Sequence, residues 1–436
     1  WSRGLGDVYK RQIINRSSPS QVGNITWNSI APGQYHFIAI RGDNTLWSCG
    51  YNNHGQLGLA DTIDRSSPVQ VGVNTWSSVA AGYGHSLAIR PDGTLWSWGY
   101  NNHGQLGTSD TSNYASPTQV GTSNGWVSIS CGQSHTMAIR SDNTLWTWGY
   151  NFWGALGLSD TTDRSTPTQV GTSNGWSKIA AGIYHNMAIR SDNTLWVWGS
   201  NSYGQLGLSD VTHRYTPTQV GTNTWSKISG SYYFSLAIRG DNTLWSWGSN
   251  THGILGNNTI TQFLSPIQVG ANTWKDISCG VYWSQALRSD DTLWSWGNNS
   301  FGELGLLDFT HRSTPVQVGT NTWSKIRSGQ YFAANIDPNN KLWTWGWNNY
   351  GQLGQFITYP YIVQKFTGNN WSTVSTNEDN TLFTKTDGTL WSVGNNSFGA
   401  LGLSNTTSYY SPVQIGTINT GVKVKTVNYS SAFIFK

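Results

Sequence analysis

Charge is scarce in this chain, and so is any sign of a helix. Only 11% of the 436 residues are Asp, Glu, Lys or Arg, and the formal net charge is +4. No run of lysines and arginines could track a phosphate backbone, which argues against nucleic acid as a partner. No apolar run approaches the roughly 20 residues of a membrane-spanning helix, so membrane insertion is not expected. Helical periodicity of useful length is missing throughout. Cysteine is nearly absent, at three residues. Cys131 and Cys279 share a repeat position within an SCG triplet, and Cys49 replaces a recurring tryptophan. All three read as small buried hydrophobes, not as a metal or redox site. With 14% aromatic residues, the chain is not disordered.

What the chain has in abundance is one recurring block, LWSWG or a close variant. Its Leu-Trp pairs begin at Leu46, Leu95, Leu145, Leu195, Leu244, Leu293, Leu342 and Leu390. Self-similarity at this period marks a solenoid or propeller, whose units bury their faces only by stacking on neighbours. The third unit shows the local logic. Residues 126–130 alternate as a short strand, and 135–140 form a second strand with His135, Met137 and Ile139 on one face. Ser141, Asp142 and Asn143 turn the chain, and 144–149 form the third strand, with Trp146 and Trp148 on one side and Leu145 on the other. Pro167 is expected to open a last strand over 168–170, on an edge where no ladder donor is lost. Four antiparallel strands per unit predict an all-β propeller. Of the 26 tryptophans, 22 recur at three repeat positions and read as core.

The string GxxHxxAI, a D-G/N turn, LWSWG and NxxGQLG, then DxxxRSxPxQVG, resembles the repeat of the regulator of chromosome condensation family. Gly82 to Gly121 and Gly182 to Gly221 carry it nearly whole. The resemblance covers about residues 16–436 and implies a β-propeller, seven-bladed in familiar members and closed by strands from both chain ends.

Ser2 to Gln12 matches no repeat position and resembles the translated adapter of a sequencing library, so residues 1–12 are set aside as non-native. That points to an environmental microbial or viral source, and the remaining net charge is near +2. Residues 13–436 then read as a single propeller of eight full repeats plus a composite terminal blade. Residues 16–23 (RSSPSQVG) resemble the last strand of a unit, and 421–436 resemble the first two strands of another. Joined, they predict a ring of eight or nine blades; the alternative is a seven-bladed ring with extra repeats. The eighth unit departs most from the pattern at 374–384, and 355–367 replace the usual Asp–Arg loop.

Candidate chemistry is thin. His36, His85, His135 and His185 share one repeat position, where later units have Phe234, Trp283 and Phe332. His54, His103 and His252 share another, exchanged for Trp153, Tyr203 or Phe301, and His213 and His311 precede the loop arginine. A general base or metal ligand could not be replaced by Phe, so these histidines read as packing. Asp61, Asp160, Asp210 and Asp308 are expected to pair with the arginines four residues on. No phosphate-binding Gly loop, metal site or cofactor site is indicated. One feature suggests a binding surface: Tyr35, Tyr184, Tyr233, Tyr282 and Tyr331 share a turn position, with Trp283 beside it. They predict a partial aromatic collar at the inner end of the blades.

The expected function is a non-catalytic scaffold that binds a protein or carbohydrate, as a monomer or as part of a larger chain. An extracellular, cell-surface or virion setting, such as a phage tail, is preferred to the cytoplasm. The resemblance implies an alternative, guanine-nucleotide exchange on a small GTPase. A further alternative is an enzyme with its site at the propeller axis.

Overall fold

In every repeat but the seventh, the turn between the second and third strands is built from the same three side chains. In the third blade Asp142 Oδ1 accepts hydrogen bonds from the Thr144 backbone N–H (3.0 Å) and from Thr144 Oγ1 (2.6 Å). Asn143 takes the left-handed conformation at φ 62°. Thr144 Oγ1 in turn accepts the Trp146 Nε1–H at 2.8 Å. The same Asp–Thr–Trp relay recurs, for instance through Asp43, Thr45 and Trp47. Hence the recurring spelling D-x-T-L-W: the motif is a hydrogen-bonded hairpin, not a chemical site, and in the seventh repeat, which lacks the Thr, Trp343 Nε1 donates directly to Asp337 Oδ2 at 3.1 Å.

The computed structural model describes residues 15–354 and, beyond them, 371–376, 380–385, 387, 389–394, 403–404, 409–415, 423–425 and 433–435. The adapter-like segment of residues 1–12 lies outside the described residues. The strands of the third blade are Trp126–Cys131, His135–Arg140, Leu145–Gly149 and Arg164–Gln169, paired in that order. The last strand starts earlier than Pro167. The ladder is irregular between Gly149↔Arg164 and Thr147↔Thr168, and Pro167 sits in that irregular stretch of the outermost strand, where it needs no donor.

Two units divide the chain, one of residues 12–356 and one that holds residues 357–436. In the first, seven sheets succeed one another and the seventh meets the first. Lys325 Nζ of the seventh donates to the Asn28 carbonyl of the first, and Cys49 Sγ lies 3.2 Å from the Gly351 carbonyl. The long strand Arg16–Pro32 makes the closure. Its start pairs with the third strand of blade seven (Ser20↔Thr344, Gln21↔Trp343), and its end opens blade one (Ile30↔Ala39).

This corrects the expectation of eight or nine blades in one ring. The sequence assigned 16–23 to a composite blade with 421–436, whereas those residues complete blade seven. The seventh repeat is not followed by the RSxPxQVG spelling, and the copy at Arg16 pairs with the edge of its third strand. In the second unit the eighth repeat forms its own four-stranded sheet, Trp371–Thr376, Asn380–Lys385, Leu390–Gly394 and Tyr409–Gln414. There Lys423–Lys425 pairs with Phe433–Phe435.

Between blades the core is indole-rich. The first-strand tryptophan of each blade in the ring, from Trp27 to Trp323, is at most 4% exposed. Trp126 stands edge-on to both Trp146 (6.1 Å) and Trp148 (6.0 Å). The second tryptophan of LWSWG is wholly buried and donates to a carbonyl of the preceding blade: Trp148 Nε1 to Gln105 O at 2.9 Å, Trp198 Nε1 to Ala155 O at 3.0 Å. Because the acceptor is backbone, the side chain there can change from Gln to Ala or Ile. The first tryptophan is only half-buried, with the Arg140 guanidinium 5.7 Å from its ring centre. Cys49 stands in the place of the second tryptophan at the closing seam and is fully buried.

The buried histidines are latches between blades. His36, His85, His135 and His185 are at most 1% exposed. Their Nε2 atoms meet Ser86 (3.0 Å), Thr136 (3.3 Å), Asn186 (2.9 Å) and Ser235 (2.9 Å) of the following blade. Burial holds their pKa values at about 3, 3, 4 and 3, far below 6.5. In blades five to seven Phe234, Trp283 and Phe332 fill this slot with apolar bulk.

Candidate functional site

First strands line the axis of the ring, and their C-terminal turns converge at one end of it. A cavity of about 210 Å³ opens there between seven glycine- and serine-rich turns, among them Gly33-Gln34, Gly132-Gln133 and Gly329-Gln330. Backbone hydrogen bonds pass from turn to turn, such as Ile183 N to Ser231 O at 2.9 Å and Val281 N to Gln330 O at 3.2 Å. No Asp, Glu, His, Lys or Arg lines this cavity. At the opposite mouth the lining includes Lys178, Lys227, Asp276 and Arg327. Among the described residues no group of three or more His, Cys, Asp or Glu could hold a metal ion, and no helix is long and apolar enough to cross a membrane.

Around the first mouth the five tyrosines are half-buried and in ring contact with neighbours. Tyr35 meets Trp347 (5.0 Å), Tyr350 (5.3 Å), Tyr51 and Tyr83 (both 6.2 Å). Tyr184 meets Tyr232 at 5.4 Å and Tyr150 at 6.4 Å. Tyr233 stands 4.4 Å from Tyr203 and 6.5 Å from Tyr282, while Tyr331 stands 5.6 Å from Phe301 and 6.0 Å from Trp347. Desolvation, and then neighbouring phenols, push Tyr35 and Tyr184 up to about 12, so both stay neutral donors. Trp283 is different: it is fully buried, its Nε1 donates to Gln330 O at 3.2 Å, and it belongs to the core.

The sequence did not reveal the rings that complete the collar. Tyr51 and Trp347 follow the third strand; Tyr203, Phe301 and Tyr350 come from the NxxGQLG loop. Each of these loop rings packs on the tyrosine of the next blade, so separate repeat positions meet only after stacking. The loops are held by a buried asparagine: Asn151 Oδ1 accepts the Leu156 N–H (2.8 Å) and its Nδ2 donates to Asp160 O (3.0 Å). The expected pairs Asp61–Arg65, Asp160–Arg164, Asp210–Arg214 and Asp308–Arg312 form at 2.5–2.6 Å. They are partly exposed, and each contributes at most about 1 kcal/mol.

Known proteins share both repeat and fold. The profile of the RCC1-like domain matches residues 171–435. The regulator of chromosome condensation (RCC1) repeat matches 43–89, 92–139 and 142–189. Among solved structures, human WBSCR16 is similar with a TM-score of 0.66 at 20% identity, over 76% of this chain and 89% of that one. Yeast RCC1 (Prp20), solved with Kap60 bound to it, gives 0.64 at 20% identity, over 74% and 80% of the two chains. Prp20p from Saccharomyces cerevisiae, described with its binding properties to Gsp1p and histones, gives 0.63 at 21%, over 73% and 82%. No curated protein sequence matches significantly. At these identities the structures speak for the fold alone, whereas the repeat profiles span the chain: it belongs to the regulator of chromosome condensation family of RCC1-like β-propellers.

Proposed function

We propose that this propeller is a non-catalytic scaffold that docks a protein partner on its aromatic end. The carrying observation is the collar: five tyrosines from five blades, half-buried, beside Tyr83 and Tyr203, which are 37% and 41% exposed. Stiff amphipathic rings bury much area with little loss of rotamer freedom, which suits the centre of a protein interface. Of the two ligand classes raised by the sequence, protein or carbohydrate, protein is the one the relatives favour. Yeast Prp20 is described with Kap60, Gsp1p and histones as partners. The proposal is confined to the interaction and names no cellular setting.

Nucleotide exchange on a small GTPase is a second reading, implied by the family and supported by the likeness to Prp20p, which is described with a protein partner. Release of fluorescent GDP from a panel of small GTPases tests it; acceleration of about tenfold or more is expected from one member. The docking reading is tested by crosslinking and affinity measurement with the responding GTPase or any captured partner. Tyr233→Ala with Tyr331→Ala is expected to weaken binding at least about tenfold while the fold is retained. Unchanged affinity in that double variant would remove the aromatic end from the interface. An inert exchange assay with a bound partner would remove the exchange reading and leave docking in place.

A further inference from the structure

The two ends of the ring differ in charge. Within residues 15–354 acids and bases are equal, at seventeen each, but they are unequally placed. At the aromatic end the loops between third and fourth strands carry seven aspartates and Glu303, against the five arginines Arg16, Arg65, Arg164, Arg214 and Arg312. The opposite end carries the other nine acids and the other twelve bases. The collar therefore lies on the negative end, and the potential there favours a cationic visitor.

A concavity of about 600 Å³ opens on this end, walled by Tyr203, Tyr233, His252, Tyr282, Phe301 and Tyr331. Polar groups at its edge include Ser249, Asn298 and Ser300, and no lysine, arginine or acid lines it. Desolvation, and secondarily His311, lower the His252 pKa from 6.5, so that ring adds no positive charge near neutrality. Walls made of aromatic rings attract cations through their negative faces.

Beside this concavity lies the one carboxylate in a slot where the other six blades of the ring have Gln56, Gln105, Ala155, Gln205, Ile254 and Gln352. Glu303 is wholly buried. Its Oε2 accepts the backbone N–H of Phe301, a wall residue, at 2.8 Å, while its Oε1 has no hydrogen-bond partner. Its charge also bears on the wall residue Tyr331. Desolvation raises its pKa to about 7. A buried carboxylate with an empty lone pair destabilises the fold unless a positive charge compensates it.

We propose that this concavity receives a cationic side chain, a lysine or arginine presented by a basic segment of the docked protein, with Glu303 as its counter-charge. The proposal rests on the docking reading and adds the chemistry of the partner. It is tested by fluorescence anisotropy at about pH 8, above the Glu303 titration, with labelled Gly/Ser peptides that carry three lysines, three norleucines or three glutamates. The lysine peptide is expected to bind and the other two to bind at least about tenfold more weakly. Glu303→Gln and Tyr282→Ala are each expected to lower the affinity for the lysine peptide about tenfold. Lys227→Ala, at the opposite end, is expected to leave it unchanged. Glu303→Gln is a safe probe of folding because four other blades carry Gln in that slot, and an unchanged melting curve verifies it. Equal binding of the norleucine peptide, or full affinity in Glu303→Gln, overturns the inference. If the partner docks through Tyr233 and Tyr331 but ignores Glu303→Gln, docking stands and the cation site falls.

Discussion

Acidification from pH 7 towards pH 4 is expected to unfold the ring cooperatively, beginning above the pH at which carboxylates titrate. The four latch histidines drive this. In the folded ring they hold pKa values of about 3, 3, 4 and 3; in the unfolded chain they return to 6.5. A base with a depressed folded pKa contributes stability that is present above the unfolded value and lost as pH falls towards the folded one. Between about pH 6 and 4.5 each ring takes up one proton on unfolding, close to 1.4 kcal/mol per pH unit. Four rings acting together would consume a typical stability of about 5–15 kcal/mol within two to three pH units. Glu303 works in the opposite sense. Its raised folded pKa of about 7 stabilises the fold below 4.5 and loses that contribution as pH rises through 7, so it offsets about one of the four protons. Denaturation midpoints measured from pH 7 to 4.5 should therefore show a net uptake of at least about three protons, to which His54, His213 and His252, also lowered by desolvation, add. His185→Phe, which copies Phe234 and Phe332, should reduce that uptake by one. A pH-independent midpoint over this range would mean that the rings are not buried as latches.

Trp148→Ala is expected to lower stability by about 3–5 kcal/mol, and Trp146→Ala by only about 1–2 kcal/mol. The two indoles lie two residues apart on one strand and face the same way, yet their surroundings differ. Trp148 is fully buried, hydrogen-bonded to Gln105 O, and packed against Gly107 so tightly that a Cβ there would lie 2.8 Å from its Nε1. Trp146 keeps one edge in solvent under the Arg140 guanidinium. Sequence periodicity places both indoles alike in the core; the structure assigns the larger loss to Trp148. Chemical denaturation of both variants checks the order, and an equal loss would contradict the difference in burial.

That pair of tryptophans shows what sequence could and could not reveal. Alternation assigns a residue to a face, but depth along the blade depends on which loop of the preceding blade covers it. Strands and hairpins were legible because each is specified within a few residues, as in the Asp142–Thr144–Trp146 relay. For the blade count the pairing of the Arg16–Pro32 strand favours the alternative, seven blades with extra repeats, over eight or nine; its signal was printed in the chain, since the seventh repeat lacks RSxPxQVG and an extra copy stands at Arg16. The collar was legible as five tyrosines at one repeat position. Its outer rings, Tyr51, Tyr203, Phe301, Trp347 and Tyr350, were not, because they reach it from another part of the repeat. The histidines were rightly read as packing, but their partners Ser86, Thr136, Asn186 and Ser235 belong to the following blade and are invisible within a single repeat.

The pairing of Gln21 with Trp343 also orders events during synthesis. Among the seven blades, the strand that finishes the wheel is made before all the others, and the edge it must meet is made with the seventh. Until then the growing arc carries an unpaired strand edge on each side, the geometry from which domain swapping and edge-to-edge aggregation begin. Closure across such a separation is entropically demanding and slow. The early blades must therefore persist as an open arc, shielded by their own stacked indoles, while the remainder is made.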